Sequence, residues 1–382
     1  MAEKKKLKVA VWGTGNVASI AIRCLQGRDD MELVGVWAHE ETAADIIGTD
    51  SGLLDLDVPN GIIVTGDEEE IFALKPDCIV CAINVRNVML ATMINGDWYA
   101  KFLEHGINVV SPSVPDLMWP TRAMNKKIVE KVQAAAEKGG ASIYINGQEP
   151  GYAEQEAMTL ASCSNTISRL TISELYNYST TPSREEMSIN FGFDEDPEEE
   201  CMLEVPEIMN SVWGLTVNHL ADYFGYELDK LDSSYEKWAT DHPIKTAFGT
   251  IEPGKVAAVR LRTSGYINGR EAIVLEHVNR MEQGICPEWP STDTVGTIRI
   301  TIEGDPNLRV DMNVSPLDHP EELSYEGYVF TAMRIVNAIP EVCAAKPGIL
   351  TVHDIGLPRP SNVFRSDAVH IDGHKISDPR KQ

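Results

Sequence analysis

Lys8 to Ala18 reads KVAVWGTGNVA. The apolar run 7–12 passes at once into Gly13-Thr14-Gly15-Asn16-Val17-Ala18, and a helical pattern follows. That order is the strand, tight turn and helix of a dinucleotide-binding βαβ unit. Each small residue has a physical reason. Gly13 permits the sharp exit from the strand. Gly15 has no side chain to keep a pyrophosphate from the backbone. Ala18 stands where a third glycine is usual and still allows close helix–sheet packing. The helix turns its free N–H groups and positive dipole end toward the phosphates. A second strand pattern at 32–38, ELVGVWA, supplies the context the fingerprint requires.

Strand and helix patterns alternate as far as residue 145. Strands are expected at 32–38, 61–65, 78–82, 108–111 and 141–145, and helices at 16–26, 68–74, 87–104 and 120–138. Asp67 is the expected cap of the second helix, and Pro120 is expected to open the fourth. The run at 78–82 is almost wholly apolar, as a strand buried on both faces should be. The rhythm predicts a doubly wound, Rossmann-type parallel sheet. Near Gly147 it changes to long alternating strands at 169–178, 255–268, 271–281, 297–303 and 308–314, with helices at 153–162 and 206–223. Asn268-Gly269 is a hairpin signal. The second domain is therefore expected to be α+β with a mainly antiparallel sheet. The expected division is 1–148 for the dinucleotide domain and 149–324 for a substrate-binding and dimerisation domain, with 325–382 returning to the first.

The chain has 382 residues, enough for two domains, and a net charge of -25. Such a surface repels nucleic-acid backbones and anionic membranes, so neither is an expected partner. No apolar run is long enough to span a bilayer, and seven scattered cysteines suit a reducing compartment. A cytoplasmic location is expected. Cys78 and Cys81 form a CxxC pattern, but three residues apart on a strand they point to opposite faces, so no metal site is expected. The acidic run 194–200 reads as an exposed loop.

The ribose-binding acid of the fingerprint falls at Ala38-His39-Glu40-Glu41, the end of the second strand. Glu40 or Glu41 is the expected acceptor from the ribose hydroxyls, and His39 and Glu40 are placed at the cofactor. No Arg or Lys stands there for a 2′-phosphate, so NAD is expected, with NADP the alternative. Ala82, Asn84 and Ser111 follow further strand ends and join Gly13, Thr14, Gly15, Asn16 and Val17 as cofactor-binding candidates.

At this point a resemblance becomes specific. VAVWGTGNVASIAIRCL and ELVGVWAHE resemble the N-terminal domain of dihydrodipicolinate reductases. GTIRITIEGDP and FTAMRIVNAIPEVCAAKPGI add a resemblance to the 2,4-diaminopentanoate dehydrogenase and native amine dehydrogenase family, running over about 8–358. The resemblance implies an NAD(P)-dependent oxidoreductase acting at a C–N or C=O carbon of a small-molecule substrate. It also implies a homodimer built partly through the second sheet. Amine-forming members carry a glutamate just past the fifth strand. Here that stretch reads Val110-Ser111-Pro112-Ser113-Val114-Pro115-Asp116-Leu117, with Asp116 the nearest carboxylate. Where the family has Asn-Pro-Gly, this chain has Glu149-Pro150-Gly151.

Hydride transfer to C=O or C=N needs a proton donor near the developing alkoxide or amine. In a doubly wound sheet the substrate lies beyond the carboxyl ends of the strands. Glu149 and Asp116 are the two candidates for the catalytic acid. Ser113, Asn146, Tyr176, His219 and His277 are the candidate pocket residues. The missing glutamate leaves open a second reading, a catalytically silent NAD(P)-bound sensor.

Overall fold

The computed structural model describes residues 5–55, 58–83, 88–314 and 323–364, and they form two compact units. The first comprises residues 1–151 and 328–382, the second 152–327.

The first unit is built on a seven-stranded sheet in which every pairing is parallel. Its strands are β1 (Leu7–Trp12), β2 (Met31–Trp37), β3 (Val64–Thr65), β4 (Cys78–Cys81), β5 (Asn108–Ser111), β6 (Ser142–Ile145) and β15 (Gly348–Leu350), ordered β15-β6-β5-β4-β1-β2-β3. Alternation along β1 explains the layering. Val9 and Val11 enter one core with α1 (Asn16–Leu25) and with Ile335 to Val342 of α8 (Leu323–Val336) and α9 (Ile339–Ala344). Ala10 and Trp12 enter the other with α2 (Glu68–Leu74), α3 (Val88–Glu104) and α4 (Lys126–Gly139). Cys78 and Cys81 fall in opposite cores.

Most boundaries follow the sequence pattern. Asp67 caps α2 through Glu69 N at 2.9 Å. The fourth helix does not open at Pro120. A short 3-10 turn, Pro120–Arg122, is followed by a break, and α4 starts at Lys126, where the Asn125 carboxamide accepts from Ile128 N. An asparagine cap outcompetes the proline signal. The third strand is shorter than 61–65, because Asp50 binds the backbone of Asn60 and Gly61 and holds that end in a loop.

The second unit carries a six-stranded sheet, ordered β14-β13-β7-β12-β11-β8. Its strands are β7 (Thr166–Asn177), β8 (Lys230–Ala239), β11 (Val256–Ile267), β12 (Arg270–Arg280), β13 (Gly296–Asp305) and β14 (Leu308–Asn313). All pairings are antiparallel except β12 with β7. Asn268 and Gly269 both have positive φ, 54° and 72°, as a tight primed hairpin turn between β11 and β12 demands. A small hairpin, β9 (Ile244–Thr246) with β10 (Gly249–Ile251), stands apart from this sheet. The helices are α5 (Ala153–Ala161), α6 (Arg184–Phe191) and α7 (Pro206–Tyr223). Within the acidic run, Arg184 pairs with Asp194 and Lys255 with Asp196.

Candidate active site

The topology of the first sheet locates the site. The strand order reverses between β1 and β4, the switch point where ligands of such sheets bind. Gly13 leaves β1 with φ +118°, a conformation L side chains rarely adopt. A Cβ there would stand 2.6 Å from the carbonyl oxygen of Ala82, just past β4. Gly15 is the N-cap of α1, and no side chain caps the helix. Among the described residues a Cβ on Gly15 would meet nothing within 4 Å. Thr14, Asn16 and Val17 are half-buried around it. Bare N–H groups facing open space suit a pyrophosphate, so this part of the chain fits a dinucleotide.

On one side of the switch point, β2 ends at Trp37, and His39 and Glu40 follow on the surface. The Glu40 side chain lies over Gly66, where a Cβ would come 3.0 Å from its Cγ. The His39 ring meets Trp37 edge-on at 5.8 Å, and its Nδ1 accepts from Glu41 N. Trp37 stacks on Trp12 at 4.2 Å and donates through its indole N–H to Gly66 O. This gives the turn between β2 and Glu40 an aromatic floor.

On the other side, β5 and β6 end next to each other. Ser111 is fully buried, with Oγ 2.6 Å from the Tyr99 hydroxyl and within reach of Ser113 N. The Tyr99 hydroxyl also reaches the Ser113 carbonyl. Burial pushes the Tyr99 phenol well above its ordinary range, so it remains a neutral hydrogen-bonding group. Asn146 follows β6 and donates its backbone N–H to Ser111 O at 3.1 Å. Its side-chain oxygen accepts from Arg334 Nε on α8 at 2.9 Å. Glu149 is extended, with φ −151° and ψ 115°, as a residue before proline must be. Its Oε1 is buried. Asp116 has a different place. It is buried in a 3-10 turn, and its Oδ1 accepts from Met124 N at 2.7 Å and Asn125 N at 3.1 Å. The carboxylate ties down the loop before α4.

Tyr176, His219 and His277 all lie in the second unit and are buried. His277 Nδ1 is 3.3 Å from Glu174 Oε1, and its ring lies 4.7 Å from Trp213. Glu174 also accepts from the Tyr178 hydroxyl and from Asn279. Asn84 falls outside the described residues. Tyr99 and Arg334, which bond to Ser111 and Asn146, were missed by sequence reasoning. Each is a polar group on a mainly apolar helix, and an arginine within FTAMRIVNAIP was the visible signal.

Over 359 residues the chain is 30% identical to an amine dehydrogenase of Streptomyces virginiae, covering 92% of this chain and 96% of that protein. The chain belongs to the amine dehydrogenase and 2,4-diaminopentanoate dehydrogenase family. Residues 212–370 match the 2,4-diaminopentanoate dehydrogenase C-terminal domain. A 2,4-diaminopentanoate dehydrogenase of Acetoanaerobium sticklandii is 24% identical over 370 residues, 93% of this chain and 95% of that one. The structure of an amine dehydrogenase from Mycobacterium smegmatis shares the fold, with a TM-score of 0.74 at 20% identity over 94% of this chain and 99% of that one. This member of the family is an NAD(P)-dependent dehydrogenase. Its relatives lend no support to a silent sensor.

Proposed function

We propose that this dehydrogenase interconverts a small or medium-sized amine and the corresponding carbonyl compound, with NAD as cofactor. The observation that carries the reading is the backbone bond between Asn146 and Ser111 beyond adjoining strand ends, with Glu149 three residues past Asn146, in a chain that matches an amine dehydrogenase over almost its whole length. When bound, the cofactor supplies or accepts the hydride. The protein does the rest. The α1 N-terminus binds the pyrophosphate. Glu40 accepts from the ribose hydroxyls, with no basic residue in 38–41 to welcome a 2′-phosphate. Glu149 gives a proton to the substrate nitrogen or oxygen as the carbonyl-type carbon is reduced, and takes it back in the reverse direction.

The experiment is NADH consumption with a panel of ketones, with and without ammonia. Turnover that depends on ammonia is expected. Equal turnover without ammonia would move the chemistry to C–O. Tight NADH binding without turnover would restore the sensor. In titrations NADH should bind more tightly than NADPH, and a reversed ratio would remove Glu40 from the ribose.

The cytoplasm is the proposed location. Among the described residues no disulfide joins the seven cysteines, and no helix is long and apolar enough to cross a membrane. A homodimer is the proposed assembly. One face of the second unit's sheet carries the ion pairs Arg260–Glu276, Arg262–Glu271 and Arg169–Glu303, and alternation puts them opposite the face where His277 meets Trp213. Such rows of paired charge suit contact with an identical copy.

A further inference from the structure

The Asn146 side chain is 1% exposed, and its two ends are treated differently. Oδ1 accepts from Arg334 Nε at 2.9 Å. A guanidinium has only donors, so the carboxamide cannot be turned round without setting N–H against N–H. The amide is also boxed in. A Cβ on Gly151 would stand 2.9 Å from Asn146 Cγ and Oδ1 and 3.0 Å from Nδ2. Nδ2 is therefore fixed facing away from Arg334. It is buried and has no hydrogen-bond partner among the described residues. A buried donor without an acceptor is costly, and at a ligand site a bound acceptor removes that cost.

Its position suggests the use. Asn146 sits past β6, bonded through its backbone to Ser111 past β5. These strands lie on the opposite side of the switch point from β2 and Glu40. A dinucleotide whose adenosine ribose is held past β2 runs across the switch point and ends here. On the reading of the protein as a nicotinamide-dependent dehydrogenase, we infer that Asn146 Nδ2 donates to a carbonyl oxygen at the reacting end of the ligands, with Arg334 as its positioning residue. Two oxygens share this chemistry, that of the nicotinamide carboxamide and that of the carbonyl substrate.

The test uses the full-length protein. Asn146→Asp is isosteric, replaces the donor by an acceptor and gives Arg334 an ion pair, so the fold is retained. If the partner is the carboxamide, NADH should bind at least 10-fold more weakly, while ADP-ribose, which lacks nicotinamide, binds as before. If it is the substrate carbonyl, NADH affinity is unchanged and kcat/KM for the ketone falls at least 10-fold. Wild-type values for NADH affinity and kcat/KM alike would overturn the inference, as would equal weakening of NADH and ADP-ribose. Arg334→Leu should reproduce the selective defect in part and Arg334→Lys should restore it. An Arg334→Leu variant with wild-type behaviour would remove its positioning role. Failure of the wider reading is separate, because wild-type protein would then bind neither NADH nor NADPH.

Discussion

Gly13 rests against the carbonyl of Ala82 so closely that a methyl group would stand 2.6 Å from the oxygen, whereas one on Gly15, two residues on, would meet nothing within 4 Å among the described residues. The two glycines of one fingerprint thus serve different ends. Gly13→Ala meets both a backbone clash and a φ of +118°, and should destabilise the protein by roughly 2 kcal/mol or more in urea unfolding. Gly15→Asp has ordinary backbone angles and places a good N-cap residue on α1, so stability should be equal or slightly raised. Its carboxylate would occupy and repel the pyrophosphate position, and NADH binding should be lost. Unchanged NADH affinity of the Gly15 variant would sink the cradle.

Asp116 and Glu149 should separate into stability and chemistry. Asp116→Ala leaves two backbone N–H groups without their carboxylate, and should lower stability by about 1–3 kcal/mol. Asp116→Asn keeps an acceptor and should leave kcat within a few-fold. Glu149→Gln should reduce the rate by about 10²-fold, with NADH affinity little changed. If the Asp116→Asn enzyme is the inactive one, the loop past β5 carries the chemistry.

Asn95 on α3 is 1% exposed, and among the described residues neither its oxygen nor its nitrogen has a hydrogen-bond partner. Two buried, unsatisfied polar atoms in a helix weaken it. Asn95→Leu, of similar size and better helix propensity, should raise stability by about 1–2 kcal/mol. A fall in the thermal midpoint would mean that the pocket around the amide cannot accept the branched side chain.

Glu174 should make the second unit acid-sensitive. Burial alone would push its carboxyl up, but His277, Tyr178 and Asn279 together outweigh burial and hold it below the ordinary range. Because the folded value is the lower one, the stabilisation is complete above the unfolded value of about 4.3. It is lost as pH falls through the folded value. Glu174→Gln should cost roughly 3 kcal/mol at pH 7 and progressively less below pH 4. A difference that stays constant between pH 7 and pH 3 would show that the charge is not what matters.

The cofactor half was legible in the sequence because its signals are local. Gly13, Gly15, Asp67 and the apolar run at Cys78–Cys81 each fix their own neighbourhood. The second unit was legible where strands alternate, the edge strand β14 included, and not at the other edge, β8. β8 reads KLDSSYEKWA, with Lys, Asp and Glu spaced along it, as an exposed edge strand that discourages wrong pairing would. That pattern lacks the apolar alternation by which strands are found. The proposed catalytic end was least legible because it depends on distant partners. Nothing near Asn146 in sequence announces Arg334, 188 residues away, and nothing at Asp116 announces that Met124 and Asn125 claim its carboxylate.

The outermost strand of the parallel sheet comes from near the other end of the chain. β15 pairs with β6, and roughly 200 residues separate them. On the ribosome, at about 5–20 residues per second, the free edge of β6 waits on the order of 10 to 40 seconds for its cover. During that interval Ile143 and Tyr144, both fully buried in the finished protein, sit in an open strand. The nascent chain is then a substrate for chaperones or for a second nascent chain. Synthesis halted before Gly348 should yield aggregates rather than a free cofactor-binding unit.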